Sequence, residues 1–498
     1  MLNNMKKVRK LIYLSFICLF SLFLICCTSK PEDEKCNHSW EIETVITEAT
    51  CTKEGLAVYV CPKCDQRKTE ALEPLGHDYQ FVEIEWTDTL AKAKYVCSRN
   101  KGHIDYRDCE VTSVVKSESP CGSIVTYTAT YDGHTDSIDK AVSGRGHQYI
   151  YVIDQESING SVGTKHKECE ECGMKEESYK YVNIGYSRYG KLHVEGADLV
   201  DKDNNKVQLI GLSTHGLHWY GQYVNEKSLA ACKDEFNINV FRFSLYTSEG
   251  GYCECGATEK EELYQRVLTG VKIATKLDMY AIVDWHMLGG GRNSKNDRNP
   301  LYYKEQAKVF FDRITKDLAD YDNVLYEIMN EPNGSTTWSD CKAYAEEIIP
   351  IIRANKPDAI VLCGNPNYSS DLESPRKKPL SFTNIMYTFH FYAGDEDMQT
   401  TSEVTKAYAA KLPIFITEHG GMDADGDGKI DYSSVARWYK ALDDRNISYV
   451  AWNISHKNES SAILKSATAN LDDFTDSNLK EWGIYYKKHI KQRLGLTE

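Results

Sequence analysis

Between residues 207 and 452 the chain alternates eight short apolar runs with longer stretches of helical periodicity, and this alternation constrains its fold more than any other feature. The runs occupy 207–212, 240–245, 279–284, 324–329, 360–363, 385–389, 414–417 and 449–452. In the gaps, for example 259–274, 302–318 and 338–353, apolar residues recur every three or four positions. Strands that alternate with helices predict a parallel sheet covered on both faces. Eight such units in about 315 residues predict an α/β fold of the (β/α)8 TIM barrel type, over residues 184–498.

Two of the runs end in carboxylates. Tyr326-Glu327-Ile328-Met329-Asn330-Glu331 stops at Pro332 and Gly334, and Leu412-Pro413-Ile414-Phe415-Ile416-Thr417-Glu418 runs into His419, Gly420 and Gly421. Barrel enzymes keep their chemistry where strand becomes loop, and two carboxylates at two strand ends suggest glycoside hydrolysis. The other strand ends are also polar or aromatic: His215, His218, Trp219 and Tyr220; Arg242 and Tyr246; Asp284-Trp285-His286; His390 and Tyr392; Trp452, Lys457 and Glu459.

In order along the chain, Gly211 to Gly221, Asp284-Trp285-His286, Tyr326 to Gly334, Phe389 to Gly394 and Lys457 to Ser461 resemble the motifs of glycoside hydrolase family 5, in its bacterial endo-β-1,4-glucanase branch. The resemblance covers residues 184–498. It implies that Glu331 is the general acid/base and Glu418 the nucleophile of a retaining double displacement. Glu331 must then hold a proton near neutral pH, while Glu418 stays charged beside donors, for which Arg242 and Tyr246 are candidates. The resemblance further implies that Asn330 binds the sugar 2-hydroxyl and that His390 and Tyr392 orient the carboxylates. His215, His286 and Lys457 hold sugar hydroxyls, and Trp219 and Trp452 offer flat faces to pyranose rings. Tyr220 and Glu459 belong to the same motifs.

No cofactor is needed for such chemistry, and the expected partner is a β-glucan. A mannan or a mixed-linkage glucan is the alternative substrate, and a glycan-binding surface lipoprotein without catalysis is the alternative class. Joint presence of Glu331, Asn330, His390 and Glu418 argues against a mere binder. Two departures from the family pattern, His419 after the nucleophile and Tyr368 in the loop after the fifth strand, are expected to alter ring-stacking platforms.

Asp423, Asp425, Asp427 and Asp431 copy the start of a calcium loop, but Ser434 holds the position of its closing glutamate. An acidic turn is the competing reading. Cys253 and Cys255, with Cys232, are either disulfide partners or thiols.

The remaining third of the chain has a different character. Lys6, Lys7, Arg9 and Lys10 precede an apolar segment that ends at Cys26-Cys27, so residues 1–27 read as a lipoprotein-type export signal with Cys27 as the lipidated residue. The protein is expected to be secreted or lipid-anchored at the cell surface, to touch the membrane only through that anchor, and to be a monomer. Nine of the 17 cysteines fall in residues 30–182. From Cys51 to His77, and again from Cys121 to His147, the interval is 26, which defines two repeat modules, 28–107 and 108–183. Their alternating runs, such as 56–60 and 124–128, predict short strands. In the first copy Cys36, His38, Cys51, Cys61, Cys64 and His77 offer enough ligands for a closed zinc site, or else pair as disulfides. The second copy lacks the C-x-x-C at the matching positions, where Tyr131 and His134 stand, and disulfides or thiols are expected there. A formal net charge of −14 without a basic cluster beyond residue 10 argues against a nucleic-acid partner.

Overall fold

The computed structural model describes residues 36–496 apart from 120, 143–146, 148, 159, 293–295 and 467–470; the export segment and Cys27 lie outside the described residues. Two compact units meet in sequence at His147 and Gln148.

The first unit consists of three antiparallel three-stranded sheets, Glu41–Thr47 with Gly55–Val60 and Arg67–Leu72, Tyr79–Thr87 with Leu90–Cys97 and Asn100–Asp108, and Glu110–Ser119 with Gly122–Tyr131 and His134–Val142. Both runs predicted as strands here, 56–60 and 124–128, fall inside observed ones. The ligand set expected to form one site is instead divided. Cys36, His38, Cys61 and Cys64 gather in one place, and Cys51 and His77 gather with Cys97 in another.

The second unit opens with a sheet of Tyr149–Gln155, Gly163–Cys169 and Tyr179–Tyr181, so by spatial contact this sheet goes with the residues that follow it. Eight parallel strands then close into a barrel: β1 (Ile210–Thr214), β2 (Val240–Tyr246), β3 (Tyr280–His286), β4 (Val324–Glu327), β5 (Ile360–Cys363), β6 (Ile385–Tyr392), β7 (Ile414–Gly420) and β8 (Tyr449–Ile454). Helices α1 (Glu226–Phe236), α2 (Ala257–Lys276), α3 (Lys304–Asp317), α4 (Trp338–Asn355), α5 (Ser402–Ala409), α6 (Tyr432–Asp443) and α7 (Glu481–Arg493) accompany it. All eight predicted strands exist. The first begins three residues later than expected, because the Val207 amide donates to Leu199 O in a hairpin below the barrel.

Alternation along each strand sorts its side chains into two layers. Phe241, Phe243, Trp285 and Tyr326 belong to the large outer core that includes Val267, Phe310 and Tyr344 of the helices. The opposite set points inward, and its lower members Val240, Tyr280, Ile282, Leu325, Ile360, Leu362, Met386, Phe415 and Val450 form a separate apolar cluster with Leu192, Leu199, Val207 and Leu209. That cluster fills the floor. Toward the strand C-termini the inward residues become Arg242, Ser244 and Tyr246 on β2, Asp284 and His286 on β3, Glu327 on β4, and Thr388, His390 and Tyr392 on β6.

Candidate active site

Arg242 occupies the centre of this polar layer and is fully buried. A buried guanidinium is tolerable only if its donors are paired, since an isolated buried charge is very costly. Its Nε donates to Glu327 Oε2 at 2.7 Å, Nη1 to Glu418 Oε2 at 3.0 Å and Nη2 to Asn330 Oδ1 at 2.6 Å, with Asp284 Oδ2 3.0 Å from Nη2. Burial opposes its charge, but Asp284, Glu327 and Glu418 together raise it above the ordinary arginine range. Burial likewise opposes the charge of Glu327, yet Arg242 and His390 prevail and hold that carboxyl at about 2. At Asp284 burial wins over the pull of Arg242 and pushes the carboxyl up.

Glu331 and Glu418 come to this centre by different routes. Glu331 lies four residues past the end of β4, where its amide donates to Met287 O at 3.0 Å and Asn333 Nδ2 donates to its carbonyl at 2.8 Å. Glu418 lies within β7. Pairing of β7 with β6 shifts register between Thr388 and His390, so β7 carries one extra residue there. Such a bulge turns two consecutive side chains to the same side. As a result Thr417 and Glu418 both enter the polar layer, and His419 points out.

The Glu331 and Glu418 carboxylates are both buried, and an oxygen of each and a ring nitrogen of His390 lie within 4.8 Å of one another. His390 Nδ1 meets Glu331 Oε1 at 2.7 Å; Nε2 meets Thr417 Oγ1 at 2.8 Å, and Thr417 donates onward to Glu327 Oε1 at 2.7 Å. Burial alone would lower His390, but Glu327 and Glu331 outweigh it and raise it to about 9. Tyr392 Oη donates to Glu418 Oε1 at 2.8 Å. Of the two expected donors to Glu418, Arg242 serves in that role. Tyr246 does not: its ring stacks on His286 with centroids 4.2 Å apart, and Tyr392 makes the contact from the other side.

Asn330 is fixed by Arg242 at its oxygen, while its Nδ2 has only long contacts, 3.4 Å to His286 Nε2 and 3.3 Å to Met287 O. His286 Nδ1 and Asp284 Oδ2 are 2.6 Å apart, and burial together with Arg242 lowers this imidazole to about 3. His215 is lowered to about 3 by burial and by Lys457, and its Nδ1 accepts from the Gly216 amide at 2.6 Å. Nε2 therefore carries its hydrogen, 4.0 Å from Glu459 Oε1.

The architecture of this mouth corresponds to a known family. The family model for "Cellulase (glycosyl hydrolase family 5)" matches residues 200–458, just over half of the chain. The chain belongs to glycosyl hydrolase family 5. It is 42% identical to Endoglucanase A of Butyrivibrio fibrisolvens over 306 residues, covering 61% of this chain and 69% of that protein. Identity to an endoglucanase of Clostridium saccharobutylicum is 40%, over 63% and 68% of the two chains. Among solved structures, the catalytic domain of Thermobifida fusca endoglucanase Cel5A superposes with a TM-score of 0.57 at 34% identity, over 61% of this chain and 99% of that one. The protein is thus a glycoside hydrolase.

The family 5 barrel also places the remaining predicted residues. Trp219 is 43% exposed and covers His218, while Trp452 is buried against His286 with rings 13° from parallel. Tyr220 packs edge-on against His215, and Lys457 is exposed and pairs with Glu459 at 2.6 Å. Tyr368 is 48% exposed in three consecutive left-handed residues, Asn367 to Ser369. That turn brings Ser369 Oγ to Asn330 O at 2.5 Å.

His419 departs from expectation. It lies among Phe391, Tyr439, Trp482 and Tyr486 outside the barrel wall, its Nδ1 donating to Val450 O at 2.8 Å and Nε2 accepting from Tyr439 Oη at 3.0 Å. It is no stacking platform. The aspartates that copy the start of a calcium loop form an acidic turn: Asp427 Oδ1 accepts from Ser460, and Asp431 caps α6 through the Ser434 amide. Cys232, Cys253 and Cys255 are thiols. A cavity lined by Lys191, Tyr280, Asp322 and Ile360 opens at the other end of the barrel, remote from the carboxylates.

Glu327 and Thr417 were missed as supporting residues, and Asp284 as a partner of Arg242. The signal for Glu327 was present: a carboxylate inside an apolar strand must find a buried cation.

Proposed function

We propose that this protein is a retaining endo-β-1,4-glucanase that hydrolyses internal bonds of cellulose-like glucans. The observation that carries this is the Glu331 and Glu418 pair, with oxygens within 4.8 Å, inside a network that assigns each a different job. Carboxyl groups of retaining pairs stand about 5–5.5 Å apart and those of inverting pairs about 6.5–9.5 Å, because the latter must leave room for a water, and a close approach of one oxygen from each favours the retaining spacing.

Glu418, held by Arg242 and Tyr392, attacks the anomeric carbon as the bond to the leaving sugar oxygen breaks. Glu331 gives its proton to that oxygen. His390 shares this proton with Glu331 across 2.7 Å, and the chain through Thr417 to charged Glu327 keeps the imidazole oriented. A water that then enters is deprotonated by Glu331 and attacks the glycosyl ester of Glu418, restoring both carboxyl groups. Asn330 Nδ2, left without a short partner, is placed to donate to the sugar 2-hydroxyl as charge develops on the ring.

Support for a glucan comes from the relatives, named endoglucanases, and from a related Thermobifida fusca structure described as a complex with cellotetraose. The repeat modules 28–107 and 108–183 and the lipidated Cys27 fit an enzyme displayed outside the cell, acting as a monomer on polysaccharide.

The test is reducing-end release from carboxymethylcellulose, mixed-linkage β-glucan, xyloglucan and mannan, with the first-formed anomer read by NMR. Activity on the cellulose derivative with β-configured product supports the reading. Preference for mannan would change the substrate, and an α-configured product would overturn the mechanism.

A further inference from the structure

The first sheet, Glu41–Thr47 with Gly55–Val60 and Arg67–Leu72, cannot be held by a core. Between residues 41 and 75 only Cys51, Gly55, Ala57 and Cys61 are buried, and two of these four are cysteines. Domains this small need disulfides or a metal. The sulfur spacing distinguishes the two. Cys36 Sγ and Cys61 Sγ are 3.9 Å apart, Cys51 Sγ and Cys97 Sγ 3.7 Å, and Cys64 Sγ and His38 Nδ1 3.3 Å. A disulfide requires about 2.05 Å. A tetrahedral ion with bonds of about 2.3 Å to sulfur and about 2.05 Å to nitrogen requires edges of about 3.8 Å between thiolates and about 3.5 Å between thiolate and imidazole.

We propose that residues 36–103 hold two structural zinc ions. Cys36, His38, Cys61 and Cys64 bind the first; Cys51, His77 and Cys97 bind the second, with His103 as its fourth ligand. The four ligand atoms of the first group, and the three of Cys51, His77 and Cys97 in the second, lie within 4.8 Å of one another; His103 is assigned from its position beside His77. The Cys61-Pro62-Lys63-Cys64 segment turns back on itself, with the Cys64 and Asp65 amides donating to Cys61 O, and the Lys63 and Ser39 amides donate to the Cys61 sulfur. The Arg99 and Asn100 amides do the same for Cys97. Donors aimed at sulfur neutralise and orient a thiolate ligand. At the second site, the His103 ring meets that of His77 edge-on at 4.8 Å, and its Nδ1 is buried without a partner. Asn100 lies 3.5 Å from the opposite nitrogen, Nε2. Cysteine and histidine in tetrahedral array select zinc over the hard cations that prefer oxygen.

Topologically, the first ion ties the chain entering the first sheet to the turn between its second and third strands. The second ion ties the hairpin loop at Cys51 to the second sheet through Cys97. Neither site involves the barrel.

The experiment measures zinc in the full-length protein after dialysis against metal-free buffer, by mass spectrometry per mole of chain. The readout is the difference between parent and variant, so zinc held elsewhere does not enter. Cys61→Ser and Cys97→Ser should each remove one equivalent and together two. His103→Ala should weaken retention against a chelator at least tenfold while Cys61→Ser leaves the second site loaded. Cobalt substitution should give the intense visible spectrum of tetrahedral thiolate coordination, and Cys64→His, which exchanges one ligand for another, should retain the metal. Glucan hydrolysis by every variant verifies that the barrel is folded. Unchanged zinc in both cysteine variants, or these cysteines recovered as disulfides from freshly purified protein, would overturn the proposal.

Discussion

Arg242 donates to Glu327, Glu418 and Asn330, and at longer range to Ser213 and Ser244, beside Asp284, so its replacement tests the whole polar layer. Arg242→Lys keeps the charge but gathers its donors on one nitrogen, which cannot span the positions that Nε, Nη1 and Nη2 reach. It should lower kcat about 100-fold or more and destabilise the fold by roughly 3–5 kcal/mol, as when one partner of a buried ion pair is lost; chemical denaturation and steady-state rates check both. Glu418→Gln and Glu331→Ala remove groups that act on the reacting atoms and should each cost about 1,000-fold in kcat.

His390 supplies the pH dependence. Raised to about 9 in the folded protein, above the ordinary value near 6.5, it contributes stability that is complete below about pH 6.5 and lost as pH rises through about 9. Unfolding free energy should therefore fall by up to roughly 3 kcal/mol between pH 6 and 9.5, and His390→Gln should flatten that slope. Activity should fall over the same interval, since Glu331 and His390 share the proton that departs. Glu331, Asn330 and Glu418 were legible in the sequence because each stands where an apolar run gives way to turn residues, and Arg242 because it interrupts an apolar strand with a charge. The Glu327 and Thr417 relay was not: it depends on which inward positions of β4 and β7 share a layer, and register is absent from a linear reading.

The bulge in β7 shows where strand periodicity fails. Strict alternation would put Thr417 and His419 on one face and Glu418 on the other. One extra residue reverses the last two, which places His419 in the outer-layer packing. His419→Trp should thus not restore a sugar-binding surface. The larger ring among Phe391, Tyr439, Trp482 and Tyr486, with the bond to Val450 O lost, should cost about 1–3 kcal/mol and leave the ranking of glucan substrates unchanged; thermal unfolding and relative rates on two polymers decide this. The strand series itself was legible because buried parallel strands are nearly continuous in apolar residues.

For the chain as a whole, the division at His147 predicts where it tolerates shortening. Lys165, on the sheet that follows, pairs with Asp234 of α1 at 3.1 Å with both side chains largely covered. A chain starting at Gln148 keeps that pair, and one starting at residue 184 loses it. The shorter chain should melt roughly 2–6 °C lower by calorimetry, with its rate on soluble glucan within about twofold. The repeat spacing marked the modules but not this boundary, because contacts between a sheet and a distant helix leave no trace in the spacing of cysteines.

The apolar floor of the barrel has one further consequence. With Val240, Tyr280, Ile360, Met386 and Phe415 filling the interior below Arg242, the barrel has no passage from end to end. A polysaccharide cannot thread through it and has to lie across the strand ends, entering sideways and leaving as two pieces from the same opening.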